Sequence, residues 1–131
     1  FTEFRQLCSD DLATGLKRFA LLCSQGSEQA RQLSRQLHAL VQVEKLASAL
    51  AGLDLLAELD NRNAIRTFAG PQLHLFAEAD ALVPPSAANA LRGLNPHATV
   101  ELLGHSHASV VAEPQVLAQS IVAFIKDRQH A

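Results

Sequence analysis

Two titratable residues in the second half of the chain stand where site chemistry collects. Asp80 lies in Ala79-Asp80-Ala81-Leu82-Val83-Pro84, just past the apolar run Leu73-His74-Leu75-Phe76. His107 lies in Gly104-His105-Ser106-His107-Ala108, just past a second apolar run from Ala98 to Leu103. Both runs read as strands, the first a buried one bounded by turn residues, and functional groups of α/β folds gather at strand ends. A carboxylate so placed can accept the Nδ1–H of a histidine, hold its tautomer and stabilise the imidazolium that forms when the ring takes a proton. Taken singly, Asp80 reads sooner as an acid near a helix start or in a solvated loop, and His107 as an ordinary surface or core histidine. The specific signal is the pair, acid first and base one helix and one strand later.

The same loop offers two other chemistries. Gly104-His105-Ser106-His107-Ala108 resembles a nucleophile elbow, Gly-x-Ser-x-Gly with alanine in the last place. An elbow needs its acid and base downstream, where only Asp127 and His130 remain, with no strands left to present them. Ser106 is therefore expected to be a loop residue beside the base. No other Gly-x-Ser-x-Gly occurs, so the nucleophile is expected outside this chain. His105 and His107, two apart, would share one face of a strand and could ligate a metal. A third ligand at recognisable spacing is lacking unless Asp80 is recruited, and no metal site is expected.

Positioning Asp80 and His107 requires strands, and the sequence supplies them only after Gly70-Pro71. From there the pattern is strand, helix, strand, helix: Leu73–Phe76; a helix opened by Pro84-Pro85 and running to about Leu94; an Asn95-Pro96 turn; Ala98–Leu103; and a last helix opened by Pro114. Val116, Leu117, Ile121, Phe124 and Ile125 make an apolar stripe on that helix. This is part of a parallel α/β sheet. Two strands do not make a stable sheet, and parallel strands want both faces covered, so the residues imply more sheet than they contain.

Residues 1–62 read differently. Proline is absent before residue 71, and apolar positions recur at helical spacing. Ser9-Asp10-Asp11 starts a helix that runs to about Cys23, with Leu12, Leu16, Phe19 and Ala20 on one face. Gly26 ends it and Ser27 starts the next, on which Ala30, Leu33, Leu37, Leu40 and Val41 form a stripe. A third helix is expected from Val43 to Leu50, broken at Gly52, and a short fourth one ending near Asp60. Arg31 and Arg35, four apart, share a polar flank. With Lys17 and Arg18 they form either a solvated helix face or a docking patch for an acidic partner.

Composition narrows the class. With 131 residues, 48% of them hydrophobic and 18% charged, the chain is globular rather than disordered. A net charge of −2 argues against nucleic acid as a partner. No apolar run reaches the roughly 18–20 residues that span a bilayer, and no membrane partner is expected. The two cysteines, Cys8 and Cys23, make neither a metal motif nor a disulfide framework, which suits a reduced, cytoplasmic setting. The chain opens on Phe1 and holds no Met, Trp or Tyr, and is expected to be a fragment or processed product.

Several of these stretches carry a family resemblance. Pro71-Gln72-Leu73-His74-Leu75-Phe76, Asp80-Ala81-Leu82-Val83-Pro84, Asn95-Pro96-His97-Ala98, His107-Ala108 and Glu113-Pro114 resemble the C-terminal end of α/β-hydrolases. Phe4-Arg5-Gln6, Ser9-Asp10-Asp11, Lys17-Arg18-Phe19, Gly26-Ser27-Glu28 and Ala30-Arg31-Gln32 with Arg35 resemble the helical cap of the carboxylesterase family of biotin synthesis, which cleaves the methyl ester of pimeloyl-acyl carrier protein. Gly52-Leu53 and Asp60-Asn61-Arg62 continue the match. The resemblance implies a helical cap over residues 1–62 and the C-terminal part of an α/β-hydrolase core over residues 63–131. It implies Asp80 as triad acid, His107 as triad base, and a serine ahead of Phe1 in the N-terminal half of the same hydrolase. It further implies Arg18, Arg31 and Arg35 as cap arginines facing the carrier protein, Phe4 and Phe19 lining the acyl channel, and no cofactor. Thr14 stands where the family has a further cap arginine, with Lys17 nearby as a substitute. Ordinary packing is the alternative for the two phenylalanines. For the whole, the alternatives are another α/β-hydrolase, such as a carbon–carbon bond hydrolase, lactonase or general esterase, or a non-catalytic helical binding module.

Overall fold

The computed structural model describes residues 1–41 and 46–129. The helical part begins with α1 (Thr2–Asp10), which leads straight into α2 (Leu12–Ser24). The junction is set by Asp11, whose Oδ1 accepts the Thr14 N–H at 3.1 Å and whose Oδ2 accepts the Thr14 hydroxyl at 2.7 Å. That is N-capping as the sequence predicts, and the hydrogen bonds from Thr14 hold the Asp11 carboxyl below its ordinary pKa.

The reversal after α2 turns on Gly26, at φ +95°, a left-handed conformation that costs a Cβ-bearing residue energy. The next helix, α3 (Ala30–Ala39), starts three residues later than the Ser27 expected. Ser27 instead accepts the Gln29 N–H at 3.3 Å within the turn. The expected start of a third helix at Val43 lies outside the described residues. α4 (Leu46–Glu58) runs without interruption through Gly52, so the helix break expected there does not occur. Gly52 is exposed and its Cα faces open space; one glycine weakens a helix by about 1 kcal/mol, too little to end it. Arg5 of α1 grips Asp54 of α4 with both ends of its guanidinium fork, Nη2 to Oδ2 at 2.8 Å and Nε to Oδ1.

A short α5 (Arg62–Thr67), absent from the sequence expectation, leads to β1 (Leu73–Phe76). Then follow α6 (Ser86–Leu94), β2 (Thr99–Leu102), α7 (Ser109–Ala112), likewise not foreseen, and α8 (Pro114–Gln129). The two strands are parallel, with Leu73 opposite Thr99 and Phe76 opposite Leu102. α6 packs on β2, and α8 on β1 and α7.

Neither strand is fully buried, contrary to the buried-strand reading. The apolar stripe of α8 is also incompletely covered: Val116, Ile121 and Ile125 stay 44%, 43% and 49% exposed. A two-stranded sheet is too narrow to cover a four-turn helix. The best-buried cluster lies where the helical part meets the α/β part: Cys23 of α2, Leu33 of α3 and Ala108 of the β2–α7 loop, with Leu37 and Leu82 packed against them.

Candidate active site

Asp80 and His107 leave the C-terminal ends of adjacent strands on loops that stay paired past the strands. Beyond β1 and β2, Leu103 N–H donates to the Phe76 carbonyl at 2.8 Å, Glu78 N–H to Gly104 at 3.0 Å and Ala79 N–H to His105 at 3.1 Å. The next residue on one loop is Asp80, and two residues further on the other is His107. The ladder thus carries both side chains to one place, with His107 Nδ1 at 2.9 Å from Asp80 Oδ2.

Asp80 is held on its other side too. Its Oδ1 accepts the N–H groups of Leu82 at 2.7 Å and Val83 at 2.9 Å. Its side chain is 7% exposed, against 39% for His107. Burial works against ionisation of Asp80, but the Val83 N–H, the His107 ring and the Leu82 N–H outweigh it and hold the carboxyl below its ordinary value. An ionised Asp80 can only accept, so in the neutral ring the His107 proton sits on Nδ1, which leaves the Nε2 lone pair free. That is the tautomer of a general base. A cavity of about 210 Å³ adjoins the pair, lined among others by Phe76, Val83, Ser106 and Leu117.

The loop around His107 is locked from several sides. Gly104 has φ +77°, and a Cβ there would come within 2.5 Å of Ser109 Oγ. Ser106 is fully buried; its N–H donates to Ser109 Oγ at 3.1 Å, and Ser109 Oγ donates to the Ser106 carbonyl at 2.6 Å. Ser106 is thus a loop residue, as expected, though more deeply enclosed than a plain loop suggests. His105, weighed as a metal ligand, turns its ring to Glu113 instead, Nδ1 to Oε1 at 2.8 Å.

The remaining expected site residues are on the helical part. Arg31 and Arg35 line a groove of about 530 Å³ between α2 and α3, together with Lys17, Leu21, Ser34 and His38. Lys17 joins them there, whereas Arg18 is exposed on α2 and does not line this groove. Phe4 and Phe19 pack on each other across α1 and α2, ring centroids 6.1 Å apart and tilted by 40°. Residue types alone gave Glu113 and the Cys23 carbonyl no part in the site. The one available signal for Glu113 was a carboxylate directly ahead of the helix-opening Pro114.

The fold is that of the C-terminal part of an α/β-hydrolase core, preceded by helices. The chain superposes on an esterase from Exiguobacterium antarcticum and on a bromoperoxidase from Bacillus anthracis, each with a TM-score of 0.74 over 95% of its residues, at 15% and 16% identity. It covers 47% and 48% of those two chains.

Among curated proteins, the chain is similar to the esterases of biotin synthesis. It is 34% identical over 125 residues to the pimeloyl-[acyl-carrier protein] methyl ester esterase of Yersinia enterocolitica, matching 92% of this chain and 48% of that protein. It is 39% identical over 123 residues to the biotin biosynthesis bifunctional protein BioHC of Cellvibrio japonicus, matching 93% of this chain and 24% of that protein. The chain therefore spans about half the length of the single-function esterases it matches. No family model matches it.

Proposed function

We propose that this chain is the cap and C-terminal core segment of a carboxylesterase that hydrolyses the methyl ester of pimeloyl-acyl carrier protein in biotin synthesis. The observation that carries the reading is the His107–Asp80 pair at 2.9 Å, at the ends of adjacent parallel strands, in a chain similar to such esterases over nearly all its length. The serine comes from residues ahead of Phe1, in the N-terminal half of the same hydrolase. That half also adds strands beside β1 or β2 and covers the apolar residues of α8.

His107 Nε2 takes the proton of the serine hydroxyl as its oxygen attacks the ester carbonyl. The ring returns that proton to the methoxide leaving group, so methanol departs and an acyl-enzyme remains. His107 then deprotonates a water, which attacks the acyl-enzyme; the proton goes back to the serine and the free pimeloyl carboxylate leaves on its carrier. Asp80 stays ionised throughout and stabilises the imidazolium. The steps are proton and acyl transfers and call for no cofactor.

Arg31, Arg35 and Lys17 form the surface that meets the acidic carrier protein, with Arg18 at its border. Phe4 and Phe19 line the acyl path beneath the cap, residues 1–62, which rests on the core at residues 63–131. A cytoplasmic setting fits the free cysteines and the pathway.

The test is to assay the 131-residue chain and the continuous protein containing its N-terminal half. The isolated chain gives no turnover of a p-nitrophenyl ester. The continuous protein cleaves the carrier-protein methyl ester in preference to lactones and diketones. Turnover by the isolated chain, lost on Ser106→Ala, would overturn the reading and restore Ser106 as the nucleophile.

A further inference from the structure

Glu113 has no part in the steps above, yet its carboxylate is aimed at the loop that presents His107. It lies at the end of α7, directly ahead of Pro114, six residues past the base. Rather than facing solvent, it turns back: Oε2 accepts the backbone N–H of His105 at 2.9 Å, and Oε1 meets His105 Nδ1 at 2.8 Å. Ser109 Oγ lies 3.3 Å from Oε2 and receives the N–H of Ser106 at 3.1 Å. The two peptide N–H groups immediately before His107 are therefore held by one linked set of acceptors, Glu113 and Ser109. The following N–H, of Ala108, donates to the Cys23 carbonyl at 3.0 Å.

We propose that Glu113 is a positioning residue for catalysis: its carboxylate braces the 104–107 loop from behind and so fixes where His107 presents Nε2. The inference rests on the general-base role of His107 given above. The physical basis is the steep dependence of proton transfer on geometry. His107 hangs on a loop, not on a strand, and the Asp80 hydrogen bond fixes only one ring atom. The ring can still swing about that bond unless its backbone is held. A displacement near 1 Å at the reacting atom costs about 100-fold in rate. Glu113 acts mainly through the backbone N–H of residue 105, which survives any side-chain change there. The His105 ring is the secondary partner, since it bonds the carboxylate and keeps it ionised.

The experiment compares Glu113→Ala, Glu113→Gln, His105→Ala and Asp80→Asn in the continuous protein, with active sites counted from the acyl-enzyme burst so that unfolded material does not enter kcat. Glu113→Ala lowers kcat by about 10- to 100-fold with KM nearly unchanged, because a transition-state alignment is lost and not a substrate contact. Glu113→Gln, which keeps an acceptor for the residue 105 N–H, recovers most of that loss, and His105→Ala loses less than Glu113→Ala. The brace is overturned if Glu113→Ala keeps the wild-type kcat while Asp80→Asn is inactive; the esterase reading then stands without it. Glu113→Gln as impaired as Glu113→Ala, or a loss confined to KM, also overturns it. Wild-type activity in Asp80→Asn overturns the base assignment and the brace together.

Discussion

The backbone N–H of Ala108 donates to the main-chain carbonyl of Cys23 at 3.0 Å. This bond ties the last turn of α2 to the residue after His107, and both partners sit in the buried cluster with Leu33. The helical part is therefore one of the anchors of the loop that carries His107. A second anchor lies a few residues on, where the Gly26 turn rests on the carbonyls of His105 and Ala79.

Gly26→Ala is expected to destabilise the folded protein by about 2 kcal/mol. The new Cβ would need φ +95° and would stand 2.5 Å from the His105 carbonyl oxygen and 2.7 Å from that of Ala79. Both are backbone atoms that also serve or adjoin the ladder between the two site loops. Gly52→Ala is the control: it meets nothing within 4 Å on an exposed helix and stabilises by about 0.5–1 kcal/mol. Urea denaturation of the two variants gives midpoints on opposite sides of wild type.

Asp80→Asn in the continuous protein lowers kcat by about 10⁴-fold. The amide can donate to Nδ1 and favours the wrong tautomer, while the loop bonds to Leu82 and Val83 can persist through Oδ1. The loss appears in kcat for carrier-protein and small esters alike. A loss limited to the carrier-protein substrate would place Asp80 in docking instead.

The same carboxylate makes stability depend on acid. Asp80 titrates below its unfolded value of about 3.9. Its contribution is therefore complete above that value and is lost as pH falls through the lower, folded value. Between about pH 5 and pH 3 the urea midpoint of wild type falls more steeply than that of Asp80→Asn.

The His105–Glu113 pair adds a dependence at both ends. Its hydrogen bond to Glu113, then the charges of Glu113, Glu28 and Glu78, raise His105 above its ordinary value against a small cost of burial. That contribution is complete below about pH 6.5 and is lost as pH rises through the raised value. Burial opposes ionisation of Glu113, but its bonds to the His105 ring and backbone hold it low, so its share is lost as pH falls below about 4. Replacing Glu113 by Gln flattens the decline of the thermal midpoint above neutrality, which calorimetry at several pH values reads directly.

Arg31→Glu with Arg35→Glu is expected to raise KM for the carrier-protein ester about ten-fold at low salt and to leave small esters unaffected. Each exposed charge contributes roughly 0.2–1 kcal/mol to a rim contact, and reversing two of them compounds the loss. The effect shrinks as ionic strength rises. Equal losses on both substrates would make the groove structural.

Local chemistry was legible wherever a short-range rule decides. Asp11 caps α2 because a carboxylate ahead of an apolar periodic stretch has free N–H groups within reach. Leu73–Phe76 is a strand because four apolar or half-apolar residues stand between turn signals. The failures have two causes. Gly52 reads as a break in any window of sequence, but a helix already carrying α1 through the Arg5–Asp54 pair absorbs one glycine. The Arg62–Thr67 and Ser109–Ala112 stretches form helices too short to show a period.

The sequence by itself determined that Asp80 and then His107 follow two successive strands, the parallel α/β pattern that brings them to one end of those strands, and the polar helices ahead of them. These follow from spacing and residue type, which local sterics and hydrophobic periodicity convert into elements. The tertiary structure decided what holds the His107 loop in place: the ladder from Glu78 and Ala79 to Gly104 and His105, the bond from Ala108 N–H to the carbonyl of Cys23, 85 residues earlier, and the returning carboxylate of Glu113. Those contacts are backbone hydrogen bonds and close approaches between segments distant in the chain. Any residue can offer a backbone N–H or carbonyl, so no residue type announces them, and only the folded chain shows which ones meet.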